Sequence, residues 1–108
     1  MSAREYPGGE NIQSIELIAI NPKVRRGRAH IIGTTVTVAD VAITHVYHGQ
    51  DVDGIASWYN LSLAQVHAAL AYYYEHQAEI DEQIRAQIAH AEALAENHVG
   101  DPDPLLPR

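Results

Sequence analysis

The pattern of hydrophobic and polar positions divides the chain into a β-rich beginning and a helical remainder. Ile and Leu alternate loosely with other residues over Ile15–Ile20, which predicts a strand that Pro22 ends, because proline cannot donate to a strand ladder. A second β-branched stretch, His30–Val38, contains Gly33 and predicts a short strand or hairpin. Strands this short are marginal alone, so we expect a helix or a second chain to cover them.

Each of the next three predicted segments begins at a residue suited to cap a helix. A hydroxyl or carboxylate oxygen at the N-cap accepts a hydrogen bond from the first turn, and a polar residue at the third helical position completes a capping box. The N-caps are, in chain order, Thr37, Asp51 and Ser62, and Asp40 and Gln65 complete boxes with the first and the last. The predicted helices cover 38–48, which Gly49 ends, 51–59, and 63 onwards.

The third predicted helix has no obvious end, since neither Gly nor Pro occurs between Leu63 and Asn97. An unbroken helix of this length would measure roughly 50 Å at about 1.5 Å per residue, which exceeds the diameter of a domain of this size. The helix therefore either breaks near 75–77 or packs its distal half on another molecule. In both cases we expect an apolar stripe to form a partner or dimer surface; its residues are Tyr73, Tyr74, Ile80, Ile84 and Ile88.

The spacing from Val52 onwards fits a helix-turn-helix domain. Small Ala56 falls where the two helices approach closely, and Asn60 occupies the turn position that needs a positive φ. If the domain bound DNA, the outward face of the third helix would enter the major groove. The candidate DNA-facing residues are Ala64, Gln65, His67 and Ala68, of which Gln65 would read adenine and His67 a base or a phosphate.

Length and charge qualify this interpretation. A chain of 108 residues forms one domain, and the absence of Cys excludes a disulfide scaffold, a Cys-based zinc finger and a thiol enzyme. The net charge is −7, but residues 1–35 carry +2 and residues 36–108 carry −9. The basic residues of one loop either are solvated or contact a phosphate, another anion or an acidic partner; they are Lys23, Arg25, Arg26 and Arg28.

Candidate catalytic and metal-binding patterns are weak. His45 and His48 lie three residues apart, as do His76 and Glu79, and either pair could share a helix face. Neither pair belongs to a metalloprotease or di-iron motif, so histidines on helix surfaces are the simpler interpretation. We find no catalytic constellation and predict a non-enzymatic protein without a cofactor. No apolar run approaches ~18 residues, so we expect a cytoplasmic protein without a membrane span.

Residues 18–73 carry a distinctive series of short motifs. The pattern combines a Pro-containing strand end, a Gly-basic step, a Gly-Thr turn into a helix, and a later Ala-Leu-x-Tyr helix. The positions that carry it are Asn21-Pro22, Gly27-Arg28, Ile31, Gly33-Thr34, Val36, Val38, Gly49, Ile55, Ala56, Tyr59 and Ala69-Leu70-Ala71-Tyr72. This pattern resembles the bacterial family called domain of unknown function 433. The chain departs from the family pattern at Ala29, Thr35 and Asn60, where Pro, Arg and Pro are usual.

The resemblance implies a dimeric helix-turn-helix protein similar to VapB-type antitoxins, which often accompany a PIN-like nuclease toxin. We therefore predict a mainly α fold: a three-helix, helix-turn-helix domain with a short N-terminal β element and a long C-terminal helix. Its parts are a flexible lead-in (1–14), the β element with the helix-turn-helix domain (15–74), a helical extension (75–98) and a disordered tail (99–108). The alternatives are a transcriptional regulator that binds DNA directly and an interaction module without a nucleic-acid role.

Overall fold

The structure is a computed structural model that describes residues 4–5 and 8–97. Within these residues the chain is mainly helical, with short strands before the first helix and a long helix at the end. The elements are β1 (Arg4–Glu5), β2 (Asn11–Ile12), β3 (Ile18–Ala19), β4 (His30–Ile31), α1 (Val38–Ala42), α2 (Val52–Tyr59), α3 (Leu63–Glu75) and α4 (Gln77–Asn97). The predicted fold class is confirmed at this level, while the predicted disordered tail, 99–108, lies outside the described residues.

The strands form two antiparallel pairs, β1 with β2 and β3 with β4. The first pair lies within the segment 1–14, whose flexibility stays a prediction. The strand predicted over 15–20 is shorter than expected, since only Ile18 and Ala19 pair, opposite Ile31 and His30. After β4 the chain turns at Gly33, whose φ is +83°, and His30 bridges Thr37 as in a hairpin.

The first helix begins at the predicted capping box. Thr37 accepts a hydrogen bond from the Asp40 amide at 3.0 Å, and Asp40 accepts one from the Thr37 amide at 3.1 Å. The segment predicted as a helix over 38–48 is α-helical only to Ala42 and continues as a π-helical turn, Ile43–Tyr47. Gly49 then follows with φ +68°, as predicted for the residue that ends the helix.

Helices α2 and α3 are joined by a three-residue turn with the predicted local geometry. Asp51 caps α2 by accepting a hydrogen bond from the Gly54 amide at 2.8 Å. Asn60 ends α2 in the left-handed conformation, with φ 58° and ψ 52°, and Ser62 caps α3. Asn tolerates this conformation better than most residues because its short side chain hydrogen-bonds locally. The assignment of the pair to a helix-turn-helix domain remains a prediction.

The long helical segment breaks at His76, which has φ −127° and ψ 38°, so α3 and α4 are separate helices. The break folds α4 back against α1 and α3. Ile80 and Ile84 are buried there, 1% and 0% exposed, as is Tyr73. This corrects the expectation that these three residues form a partner surface, because the core of the chain itself covers them.

Every helix contributes to one core, with α1 at its centre. Four of the five α1 residues are buried, and α1 packs against both α3 and α4. The other buried apolar residues are Ala29, Ile31, Ile55, Val66, Ala69, Leu70, Tyr73, Ile80 and Ile84. None of the helices in the described residues has the length and hydropathy needed to span a membrane.

Candidate functional site

The outward face of α3 forms one wall of an open, mainly apolar groove of about 630 Å³. The opposite wall contains Ile15, which is 80% exposed, and Ile18 of β3. From α3 and its end the groove is lined by Ala64, His67, Ala68, Ala71, Tyr72, Glu75 and His76. No Lys or Arg lies among these described lining residues, so the α3 groove, as we call it, offers apolar contact rather than phosphate binding.

The structure brings three of the four candidate DNA-facing residues, Ala64, His67 and Ala68, into the α3 groove. Gln65 is absent from the described lining and is engaged elsewhere. Its side-chain oxygen, Oε1, accepts a hydrogen bond from the backbone amide of Ser62 at 2.8 Å. Its own backbone amide donates to Ser62 Oγ at 3.1 Å. A glutamine that reads adenine uses both its carbonyl oxygen and its NH₂ group. Such a contact would therefore compete with the α3 capping box for the side-chain oxygen of Gln65.

The basic loop lies on a different surface, beside the second half of α4. A second groove of about 630 Å³ is lined by Arg25, Arg26, Arg28, Ala86, Gln87 and His90, and we call it the basic groove. It shares no described lining residue with the α3 groove. Lys23, the fourth candidate anion contact, is not among the described lining residues of the basic groove.

Arg25 is tied to the junction between the β element and α1. Its Nη1 donates to the Thr35 carbonyl at 3.0 Å and to Asp40 Oδ2 at 2.9 Å. Thr35 is the position where the family pattern usually has an arginine, and its backbone carbonyl accepts the hydrogen bond from Arg25. Arg28 donates to Gln87 Oε1 at 3.3 Å and so connects the loop to α4.

The five residues predicted as a partner or dimer surface divide between the core and the outside. Tyr74 and Ile88 remain accessible, at 56% and 39% exposure. Buried Tyr73 donates a hydrogen bond to Asp81 Oδ1 at 2.7 Å, which links α3 to α4 across the break. Burial, this hydrogen bond and the negative charge of Asp81 raise the pKa of Tyr73 to about 12. Tyr73 is therefore a structural residue that stays protonated over the physiological range.

The histidine pairs considered as metal ligands have other contacts. His45 Nδ1 lies 2.8 Å from the Gln50 carbonyl oxygen, and His76 Nδ1 lies 3.1 Å from that of Tyr72. The His76 ring also stacks on Tyr72, with centroids 4.0 Å apart. No group of three or more potential metal ligands occurs within the part of the chain that the structure describes.

Sequence reasoning missed residues that line both grooves. Gln87 and His90 lie 59 or more positions from Arg28, so no local pattern joins them to the basic loop. Ile15 and Ile18 were assigned to a strand, and nothing in their spacing placed them opposite α3. The strong exposure of Ile15 has no signal in the sequence, because an isolated apolar residue near a strand end is equally compatible with burial.

Comparison with known proteins gives a family but no described function. The family model "Protein of unknown function (DUF433)" matches residues 18–73, which is just over half of the chain. No curated protein and no solved structure matches the chain. The matched region extends from β3 through Tyr73 and so includes the basic loop, α1, α2 and most of α3, whereas α4 lies beyond it. On the strength of this match, the chain belongs to the DUF433 family.

Proposed function

We propose that the chain is a non-enzymatic, antitoxin-like protein: a homodimer that binds and restrains a PIN-like nuclease encoded beside it. The observation that carries the proposal is the α3 groove, whose walls are mainly apolar and whose described lining contains no Lys or Arg. The resemblance to antitoxins suggests the class of partner, and the groove suggests how a protein would bind. A DNA backbone, by contrast, requires cations on or beside the inserted helix.

The second half of α4 supports the same proposal. The first half is used in the core, but Ile88 and Leu94 are 39% and 44% exposed on the part that follows. Glu92 and Glu96 lie on the same exposed segment and give it an acidic character. A partner with an apolar surface and basic residues at its edge would match this segment, which is the usual composition of a protein interface with a polar rim.

Co-purification tests the proposal. The chain is expressed with the PIN-like protein encoded in the adjacent reading frame, with an affinity tag on one of the two, and the complex is isolated at ~150 mM salt. Ala71→Glu places a charge in the α3 groove, whereas Ala78→Glu places the same charge on an exposed α4 alanine that is not among the described lining residues of the groove. We expect A71E to lose the partner and A78E to retain it.

Three results would contradict the proposal. The first is an adjacent gene that encodes no nuclease-like protein, and the second is a pair of proteins that do not co-purify. The third is equal loss of the partner in A71E and A78E, because the α3 groove would then have no special role. Relief of nuclease toxicity during co-expression provides a second readout, since it reports inhibition and not only contact.

The alternative function, direct DNA binding as a transcriptional regulator, is favoured by the basic groove alone. It predicts that the purified chain retains duplex DNA at ~150 mM salt without any partner, with affinity that falls steeply as salt rises. Gln65→Ala would then relax sequence preference as well as weaken the α3 cap. We expect no such retention, because the cations and the outward face of α3 line separate grooves.

A further inference from the structure

The basic groove is built from two segments that are distant in sequence. One wall is the loop that carries Arg25, Arg26 and Arg28, and the other is the α4 segment that carries Ala86, Gln87 and His90. No carboxylate occurs among these described lining residues, although the chain as a whole carries a net charge of −7. The groove is therefore a local concentration of hydrogen-bond donors and positive charge on an acidic protein.

The loop holds its arginines in an uncommon backbone conformation. Arg25, Arg26 and Gly27 all have positive φ, at 48°, 61° and 78°. Such a left-handed turn is unfavourable for L-residues with a side chain, and it persists only where surrounding contacts stabilise it. Those contacts are present: the Gly27 amide donates to the Val24 carbonyl at 3.0 Å, and Arg25 binds Asp40. The loop thus presents its arginines from a defined conformation.

The charges of the three arginines are not equivalent. Arg25 is neutralised by Asp40 at 2.9 Å. Among residues 4–5 and 8–97, the Arg28 guanidinium hydrogen-bonds only to the neutral amide oxygen of Gln87, and the Arg26 side chain has no hydrogen bond or ion pair. Two guanidinium charges are therefore uncompensated in the groove. Because Gln87 Oε1 accepts from Arg28, its NH₂ group remains a donor, and exposed His90 adds a ring N–H from the same wall.

We propose that the basic groove binds a phosphate group. A planar carboxylate is satisfied by one guanidinium in a bidentate pair. Donors on two facing walls instead suit a tetrahedral oxyanion, whose oxygens point in several directions, and arginine is the preferred residue for such recognition. The groove volume of about 630 Å³ leaves room for the rest of a phosphorylated molecule. This inference does not depend on the antitoxin-like function, since the α3 groove takes no part in it.

The test is an NMR titration of the full-length ¹⁵N-labelled chain with inorganic phosphate and, separately, with sulfate, at ionic strength held constant with sodium chloride. We expect saturable shifts of the amides of residues 25–28 and 87–90. Arg26→Ala removes a side chain without a described partner and should not affect folding, which the remaining amide signals report. It should weaken phosphate binding about tenfold, as expected for the loss of one charge-assisted contact.

Lys23→Ala provides the matched control, because Lys23 belongs to the same basic loop but not to the described groove lining. It should change the affinity by less than about twofold, which is within the weak effect of an exposed charge. His90→Ala tests the α4 wall and should weaken binding without altering the loop signals. Titrations with a nucleoside monophosphate and with a short DNA duplex then distinguish a small phosphorylated ligand from a nucleic-acid backbone as the natural source of the phosphate.

Several outcomes would overturn the proposal. One such outcome is that phosphate and sulfate give amide shifts no larger than those from chloride at equal ionic strength. Another is that acetate or an acidic peptide binds as tightly as phosphate. Equal weakening by K23A and R26A would show non-specific attraction to a basic loop. Binding unchanged in R26A would show that the phosphate lies elsewhere. None of these results would bear on partner capture through the α3 groove, which A71E tests independently.

Discussion

Replacement of Ile84 by Ala tests whether α4 belongs to the core of the chain or packs on another molecule. Ile84 is fully buried on the helix that packs against α1 and α3, and Ile88, one turn later, is 39% exposed. The substitution removes three carbon groups at about 0.8 kcal/mol each, and the cavity left behind brings the expected loss to about 3–4 kcal/mol. The same change at Ile88 should cost about 1 kcal/mol or less. Both changes replace Ile with Ala, which is the better helix former. The effect of helix propensity therefore cancels when the two losses in the free energy of unfolding are compared.

The assay is urea unfolding followed by far-UV circular dichroism, at two protein concentrations about tenfold apart, so that any contribution of dimerisation appears as a concentration dependence. We expect I84A to lower the free energy of unfolding by the same amount at both concentrations. The conclusion that α4 is part of the core would be refuted if I84A and I88A differed by less than about 1 kcal/mol. A loss seen only at the higher concentration would likewise place Ile84 in an interface between chains.

Three further predictions concern local features. The contribution of Tyr73 to the free energy of unfolding should be constant up to about pH 10 and fall by roughly 2–3 kcal/mol as pH rises towards 12, because the pKa of Tyr73 is raised to about 12 in the folded chain. Chemical denaturation of the unmodified chain and of Tyr73→Phe across this range should show this contribution as a stability difference between the two that shrinks as pH rises. Asn60→Val should lower the free energy of unfolding by about 1–2 kcal/mol, since a β-branched residue is unfavourable at φ 58°, whereas Asn60→Gly should be nearly neutral in the same assay. Thr37→Ala should cost about 1 kcal/mol by loss of the α1 capping box, measured as a lower midpoint of thermal unfolding.

The features that sequence reasoning predicted correctly are those determined by neighbouring residues. The capping residues Thr37, Asp51 and Ser62 all cap helices in the structure, and Asn60 adopts the left-handed conformation. A cap depends on a side chain and a backbone amide two or three positions away. All the groups that form it therefore lie within a few residues of sequence, where a local pattern reveals them. The same holds for the turn at Gly49, which needs only a residue that tolerates positive φ.

The features that sequence reasoning left open depend on residues distant from one another. Nothing between Leu63 and Asn97 is a helix breaker, and the break at His76 accompanies the burial of Ile80 and Ile84 against the rest of the chain. The Tyr73–Asp81 hydrogen bond joins the two sides of that break. A stripe of isoleucines predicts that a surface must be covered, but the identity of the cover is a tertiary property. The expectation of an external partner for Ile80 and Ile84 failed for this reason.

The candidate sites follow the same division. The clustering of arginines in one loop was evident from the chain, but Gln87 and His90 complete the basic groove only after α4 folds back. Gln65 was a reasonable adenine-reading residue by its position on α3, yet the same position makes it the third residue of a capping box. A residue with two local uses cannot be assigned from its type and spacing alone. Its hydrogen bonds decide between them.

Helix α4 contributes both to the core of the fold and to the surfaces proposed for binding. Its first half supplies Ile80 and Ile84 to the core, and its second half supplies Gln87 and His90 to the basic groove and exposes Ile88 and Leu94. The residues of α4 that line the basic groove are not those that it contributes to the core. A change in the second half can therefore alter binding without removing a core side chain. The family match ends at Tyr73, before α4 begins, although α4 closes the core over α1. The matched region therefore presents an apolar surface that must be covered, and in this chain the first half of α4 covers it.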